Sequence, residues 1–139
     1  MAVIRTDLMK SIFTYKAGAA IGDIDAIVSP VWYTASSLGV GAGSQSVNTG
    51  AMSAGFIYNI TTILGLNNVS NTLVSAIYVN HDGANYYIRR VATTVAAVGL
   101  EWNGSLYIDA GDIIAVIFDG CTAGDDLYIY VGGYKIALD

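Results

Sequence analysis

The chain has 139 residues, of which 12% are Asp, Glu, Lys or Arg and 54% are apolar; an ordinary soluble domain carries about 25% charged residues. A net charge of −5, one histidine and one cysteine speak against a nucleic-acid binder and leave no Cys/His set for zinc and no internal disulfide. The length predicts one domain, able to bury roughly 68–70% of its unfolded surface without staples.

The charge deficit is concentrated in residues 26–81, a run of 56 without a single charged side chain. A membrane helix needs about 20 consecutive apolar residues, whereas Ser, Thr, Asn, Gly and Pro30 interrupt this run every few positions. Strands hidden in a core or against neighbouring subunits fit better, because interface cores are depleted of charge, and no membrane partner is expected. Asp7 and Lys10 break the apolar stretch that a signal peptide would need.

In chain order, Ile4, Leu8 and Ile12 could line one face of a short helix. Arg5, Lys10 and Lys16 against Asp7 give the first 22 residues a net charge of +2, and the remainder carries −7; such a basic segment suits docking on an acidic neighbour, or an ordinary solvated terminus. Residues 26–34 are β-prone, with Pro30 confining them to an edge or a bend. Residues 35–55 are rich in Ser, Gly and Ala and read as a flexible connection, so residues 1–55 are expected to form an arm with an edge strand, and residues 56–139 the folded core. Residues 56–64 alternate as a strand, 67–71 form a turn, and 73–79 with 86–91 form a hairpin around Asp82 and Gly83. Short strands at 98–102 and 106–108 are separated by Asn103-Gly104, a type I′ turn signal. A turn at 109–112 includes Gly111 and Asp112. Residues 113–118, apolar on both faces, predict a central strand, and 127–136 a closing one. Seven or eight short strands at this spacing predict an all-β antiparallel sandwich, jelly-roll-like, with an irregular N-terminal arm. Its edges hold few of the lysines, inward charges and prolines that normally block edge pairing.

The segments YNITTILGLNN, AIYVNHDGANYYIRRV, LEWNGSLYIDAGDIIAVI and DDLYIYVGGYKI resemble a recurring β-sandwich domain of tailed-bacteriophage virion proteins. The corner from Trp102 to Asp112, with its W-x-G-x-L-x-I-x-A-G-D pattern, carries most of the likeness. The resemblance covers about 80 residues and implies a virion structural role: a capsid decoration (cement) protein, or a neck, tail or fibre-base component, acting as a homotrimer or larger ring. The implied partners are further copies of the chain and the major capsid protein, and the implied location is the virion, assembled in the bacterial cytoplasm.

Little in the sequence suggests catalysis. A hydrolytic nucleophile needs a positioned base, and His81 beside Asp82 and Cys121 in a Gly-rich loop are read as turn and filler residues. Asp109 with Asp112, and Asp119 with Asp125 and Asp126, could supply oxygens to calcium, but Asp-Gly and Ala-Gly-Asp are ordinary turn sequences. No enzyme activity, cofactor or metal is therefore expected. Ten tyrosines and two tryptophans suit either a sugar-stacking platform or, preferably, a protein interface. The interface candidates are Arg5, Lys10, Lys16, Trp32, Tyr33, Phe56, Tyr58, Tyr128 and Tyr130.

Overall fold

The computed structural model describes residues 28–71, 74–92 and 99–138. Eight strands follow one another there: β1 (Val28–Val40), β2 (Gly43–Ala51), β3 (Phe56–Asn67), β4 (Val74–His81), β5 (Ala84–Val91), β6 (Leu100–Ile108), β7 (Ile113–Cys121) and β8 (Asp125–Ala137). All pairings are antiparallel: β1 with β8, β2 with β7, β3 with β6 and β4 with β5. The eight strands thus form one long hairpin with its tip at the β4–β5 turn. Rolling that hairpin sets β3 beside β8 and β4 beside β7, giving two four-stranded sheets in the orders β1-β8-β3-β6 and β2-β7-β4-β5. This is the jelly-roll form of the antiparallel sandwich, the expected fold class.

Strand alternation puts every second side chain between the sheets. From the first sheet come the inward rows Tyr33–Val131–Ile63–Trp102 and Ala35–Ile129–Gly65–Leu100. They face Ile77, Val79, Ile114, Val116 and Phe118 of the second, all buried. Each such side chain contributes about 1.5–3 kcal/mol of transfer free energy. Gly65 sets the spacing locally, since a Cβ there would stand 2.6 Å from Val116 Cγ1.

Two sequence expectations are corrected. The stretch assigned to an arm, an edge strand and a connection, up to residue 55, contains β1, an edge strand longer than expected, and β2, both full members of the sheets. β2 reads as a linker because Val47 is its only buried residue; as an edge strand it needs no alternating pattern, and its ladder to β7 holds it. Pro30 is tolerated in β1 because β1 is also an edge. Asn103 and Gly104 form no turn but lie inside β6. Thr62 pairs with Asn103 and Ile60 with Leu106, so two residues of β6 oppose the single Thr61. The Asn-Gly pair therefore serves a bulge, with Gly104 tucked under the Trp102 ring.

Candidate functional site: a charge-poor sheet face and two acidic turns

The outer face of the β1-β8-β3-β6 sheet is a grid defined by strand register. Its rows are Ser36–Tyr128–Leu66, Thr34–Tyr130–Leu64–Glu101, Trp32–Gly132–Thr62–Asn103 and Pro30–Tyr134–Asn59–Tyr107. Glu101 is the one charged member of these rows, and Asp126 follows Tyr128 outward at the start of β8. Trp32 is 80% exposed, and its indole lies across Gly132, where a Cβ would come 2.8 Å from a ring atom. Tyr128 and Tyr130 stack with centroids 6.4 Å apart. Asn59 is buried within the grid and donates to Ser105 Oγ at 2.9 Å.

The interface candidates divide accordingly. Trp32, Tyr128 and Tyr130 share this outer face, whereas Arg5, Lys10 and Lys16 lie outside the described residues. Tyr33 and Tyr58 are corrected: both point inward against the core, and Tyr58 is fully buried with its hydroxyl donating to the Ser53 carbonyl. Phe56 packs at the margin of the core under the Lys135 ammonium, 4.1 Å from its ring centroid. Alternation was legible in the sequence; which phase faced inward was not.

Acidic chemistry gathers at opposite ends of β7, in two turns that share the triplet Ala-Gly-Asp, at 110–112 and 123–125. Gly111 and Gly124 adopt φ of 88° and 95°, a region that glycine enters without strain. In the first turn the Asp109 N–H donates to Asp112 Oδ2 (3.0 Å) and the Asp112 N–H to the Asp109 carbonyl (3.3 Å). In the second the Thr122 N–H donates to Asp125 Oδ2 (2.9 Å) and the Asp125 N–H to the Thr122 carbonyl (3.1 Å). Each glycine N–H then ties its turn to a neighbouring segment, Gly111 to the Met52 carbonyl and Gly124 to that of Val40, both at 2.8 Å.

Both aspartates are buried, Asp112 at 6% exposure and Asp125 at 1%, but their partners differ. Asp125 Oδ2 also accepts from Asn67 Nδ2 and Ser70 Oγ, each at 2.7 Å. Burial pushes its pKa up, yet the bonds from Ser70, Asn67 and Thr122 outweigh that and hold it below 3.8. Asp112 Oδ1 instead meets His81 Nδ1 at 2.6 Å, and the other ring nitrogen of His81 stands 3.5 Å from Asp82 Oδ2. The hydrogen bond to Asp112, then the charges of Asp112 and Asp82, raise the His81 pKa above 6.5. Asp82 (φ 49°) and Gly83 (φ 81°) make the tight turn that carries His81 there. Burial, then the charges of Asp125 and Asp119, push the Cys121 thiol above its ordinary value, which makes it a poor nucleophile. The His81–Asp112 contact was invisible in the sequence because 31 residues separate the pair; the repeated Ala-Gly-Asp triplet was the available signal.

No family model matches the sequence, and no curated protein matches it. The solved structures that do align include the Drosophila NLP core, described for pentamer formation and histone binding, at 16% identity and a TM-score of 0.37, covering 75% of this chain and 97% of that one. Particles derived from infectious bursal disease virus (T=1) align at 14% and 0.42, over 79% of this chain and 31% of theirs, so the chain spans under a third of that viral capsid protein. The Yersinia pseudotuberculosis-derived mitogen aligns at 15% and 0.38, covering 77% and 86%. None of these is a tailed-phage protein, and similarity at this level carries no functional argument.

Proposed function

We propose that this chain is a non-enzymatic structural subunit of a tailed-phage particle, binding the outer capsid surface as an oligomer, with a trimer favoured, and stabilising the shell. The observation that supports this most is the outer face of the β1-β8-β3-β6 sheet, an extended surface with two charged residues, Glu101 and Asp126, and a tryptophan 80% exposed. Exposed apolar patches rimmed by polar groups are what protein interfaces use. The β2 edge adds to it, since residues 43–51 hold no charge to deter pairing. The Trp102–Asp112 corner, formed by β6 and the first acidic turn, supplies the resemblance to virion sandwich domains. Binding only where the assembled lattice presents a site would stabilise the shell by mass action, and the positively charged first 22 residues would reach an acidic neighbouring copy.

Light scattering on the purified chain should give a trimer or larger ring, and Trp32→Ala with Tyr130→Ala should shift it towards monomer without lowering secondary-structure content. Virions lacking the protein should lose their genome at lower temperature than complete ones; equal heat resistance would refute decoration. Copy number separates the neighbouring reading of a neck, tail or fibre-base component: hundreds per particle mean decoration, a ring's worth means neck or tail. The open ring of Trp32 beside Thr34 and Thr62 also favours a second reading, a carbohydrate-binding module. An array of bacterial surface glycans that gives no signal at high density would remove it.

A further inference from the structure

We propose that His81, Asp109 and Asp112 form a binding site for a borderline divalent metal ion of the Zn²⁺ type, with one imidazole and two carboxylates as ligands and water completing the shell. It lies at one end of the sandwich, at the end of β4 and in the turn that follows β6, and stands independently of the virion reading.

The three residues offer ligand atoms that all lie within 4.8 Å of one another. Ligands held about 2.0–2.2 Å from a tetrahedral zinc stand about 3.3 Å apart. The 2.6 Å His81–Asp112 contact would open by a fraction of an ångström as the metal replaced the shared proton, and the Asp109 carboxylate would close in. Asp112 is buried and fixed through Oδ2 by the Asp109 N–H, so Oδ1, now against His81, is already aimed. His81 is half-exposed, with 44% of its side chain open to solvent, which leaves a path for the ion and for water.

The twin turn makes the case that this arrangement is more than turn chemistry. At 122–125 the first position is Thr122, and the turn closes through the same pair of backbone groups. The Asp109 carboxylate is therefore not needed to make the turn, yet it sits beside a second, buried carboxylate. Asp82 brings a third. Among the described residues no Lys or Arg forms an ion pair with any of them, the one such pair being Arg90–Asp119. One imidazole cannot neutralise three carboxylates; a divalent cation would come far closer. The second ring nitrogen of His81 faces Asp82 Oδ2 at 3.5 Å, the outer-sphere carboxylate that metal-bound histidines commonly have. An imidazole with two carboxylates suits Zn²⁺ or Co²⁺ and disfavours Ca²⁺, which prefers an all-oxygen shell.

The test uses the full chain stripped with EDTA. Calorimetric titration with Zn²⁺ should show one ion per chain and a raised melting temperature, Co²⁺ should give the intense visible absorption of a tetrahedral site, and Ca²⁺ should give neither. Asp109→Thr, which copies the twin turn, and His81→Gln should each weaken Zn²⁺ binding by about tenfold or more, while Cys121→Ser should leave it unchanged. Absence of Zn²⁺ binding by the folded chain overturns the proposal, and so does wild-type affinity in both Asp109→Thr and His81→Gln, which would mean an adventitious ion only. Should one variant fail to fold, the other and the Co²⁺ spectrum of the wild-type chain still decide.

Discussion

The two ends of β7 carry the same turn and solve the same problem differently. At the Asp125 end one oxygen of a buried carboxylate takes neutral donors from Asn67, Ser70 and Thr122, while the other oxygen is buried without a partner. At the Asp112 end a buried carboxylate is met by an imidazole that itself reaches solvent. The first arrangement is sealed, and the second is left open to exchange a proton or an ion. A shared turn thus fixes where an aspartate goes, and the loops packed on it decide what the aspartate does.

The largest effect should come from Asp125→Ala, which strips the acceptor from three donors at once and should cost about 3 kcal/mol or more. Guanidinium unfolding would measure it, and a wild-type midpoint would break the comparison. Asp112→Ala should cost less, about 2 kcal/mol, because His81 can turn to water while only the Asp109 N–H loses its partner inside the turn.

In metal-free protein the two ends should respond to pH with opposite sign. Asp125 has a folded pKa below 3.8, so its contribution is complete above the ordinary carboxylate range and fades as pH falls below about 4. His81 has a folded pKa above 6.5; its contribution is complete below that value and fades as pH rises through the raised pKa. Melting temperature followed against pH should lose its acid slope in Asp125→Asn and its slope at pH above 6.5 in His81→Gln. The smallest effect belongs to Asp109→Thr, expected to stay within about 0.5 kcal/mol of wild type without metal, since Thr122 shows that the turn accepts it. A large loss there would mean that the Asp109 carboxylate is structural.

Sequence periodicity located β3, β4, β5, β7 and β8, because their alternation or doubly apolar runs follow from burial between sheets. It placed β1 only in part, as an edge strand over 26–34, and missed β2, an edge strand with one solvated side whose composition resembles a linker. It also failed at Asn103-Gly104, where a bulge uses the same residues as a hairpin turn. Site legibility followed distance along the chain. Tyr128 and Tyr130, two apart on one strand, could be placed on one face in advance. Tyr58 could not be assigned to the core, nor His81 to Asp112, because both depend on pairings across tens of residues.

One consequence of the rolled-hairpin topology concerns synthesis. β8 is bonded on both sides, by β1 and by β3, and it is the last of the eight strands to leave the ribosome. Two of the three ladders in its sheet must wait for it, so in the nascent polypeptide β1 stays unpaired and β3 lacks one neighbour until translation has passed residue 137. Products ending before Asp125 should be insoluble or degraded, and in the growing chain those waiting strands are natural clients for a chaperone.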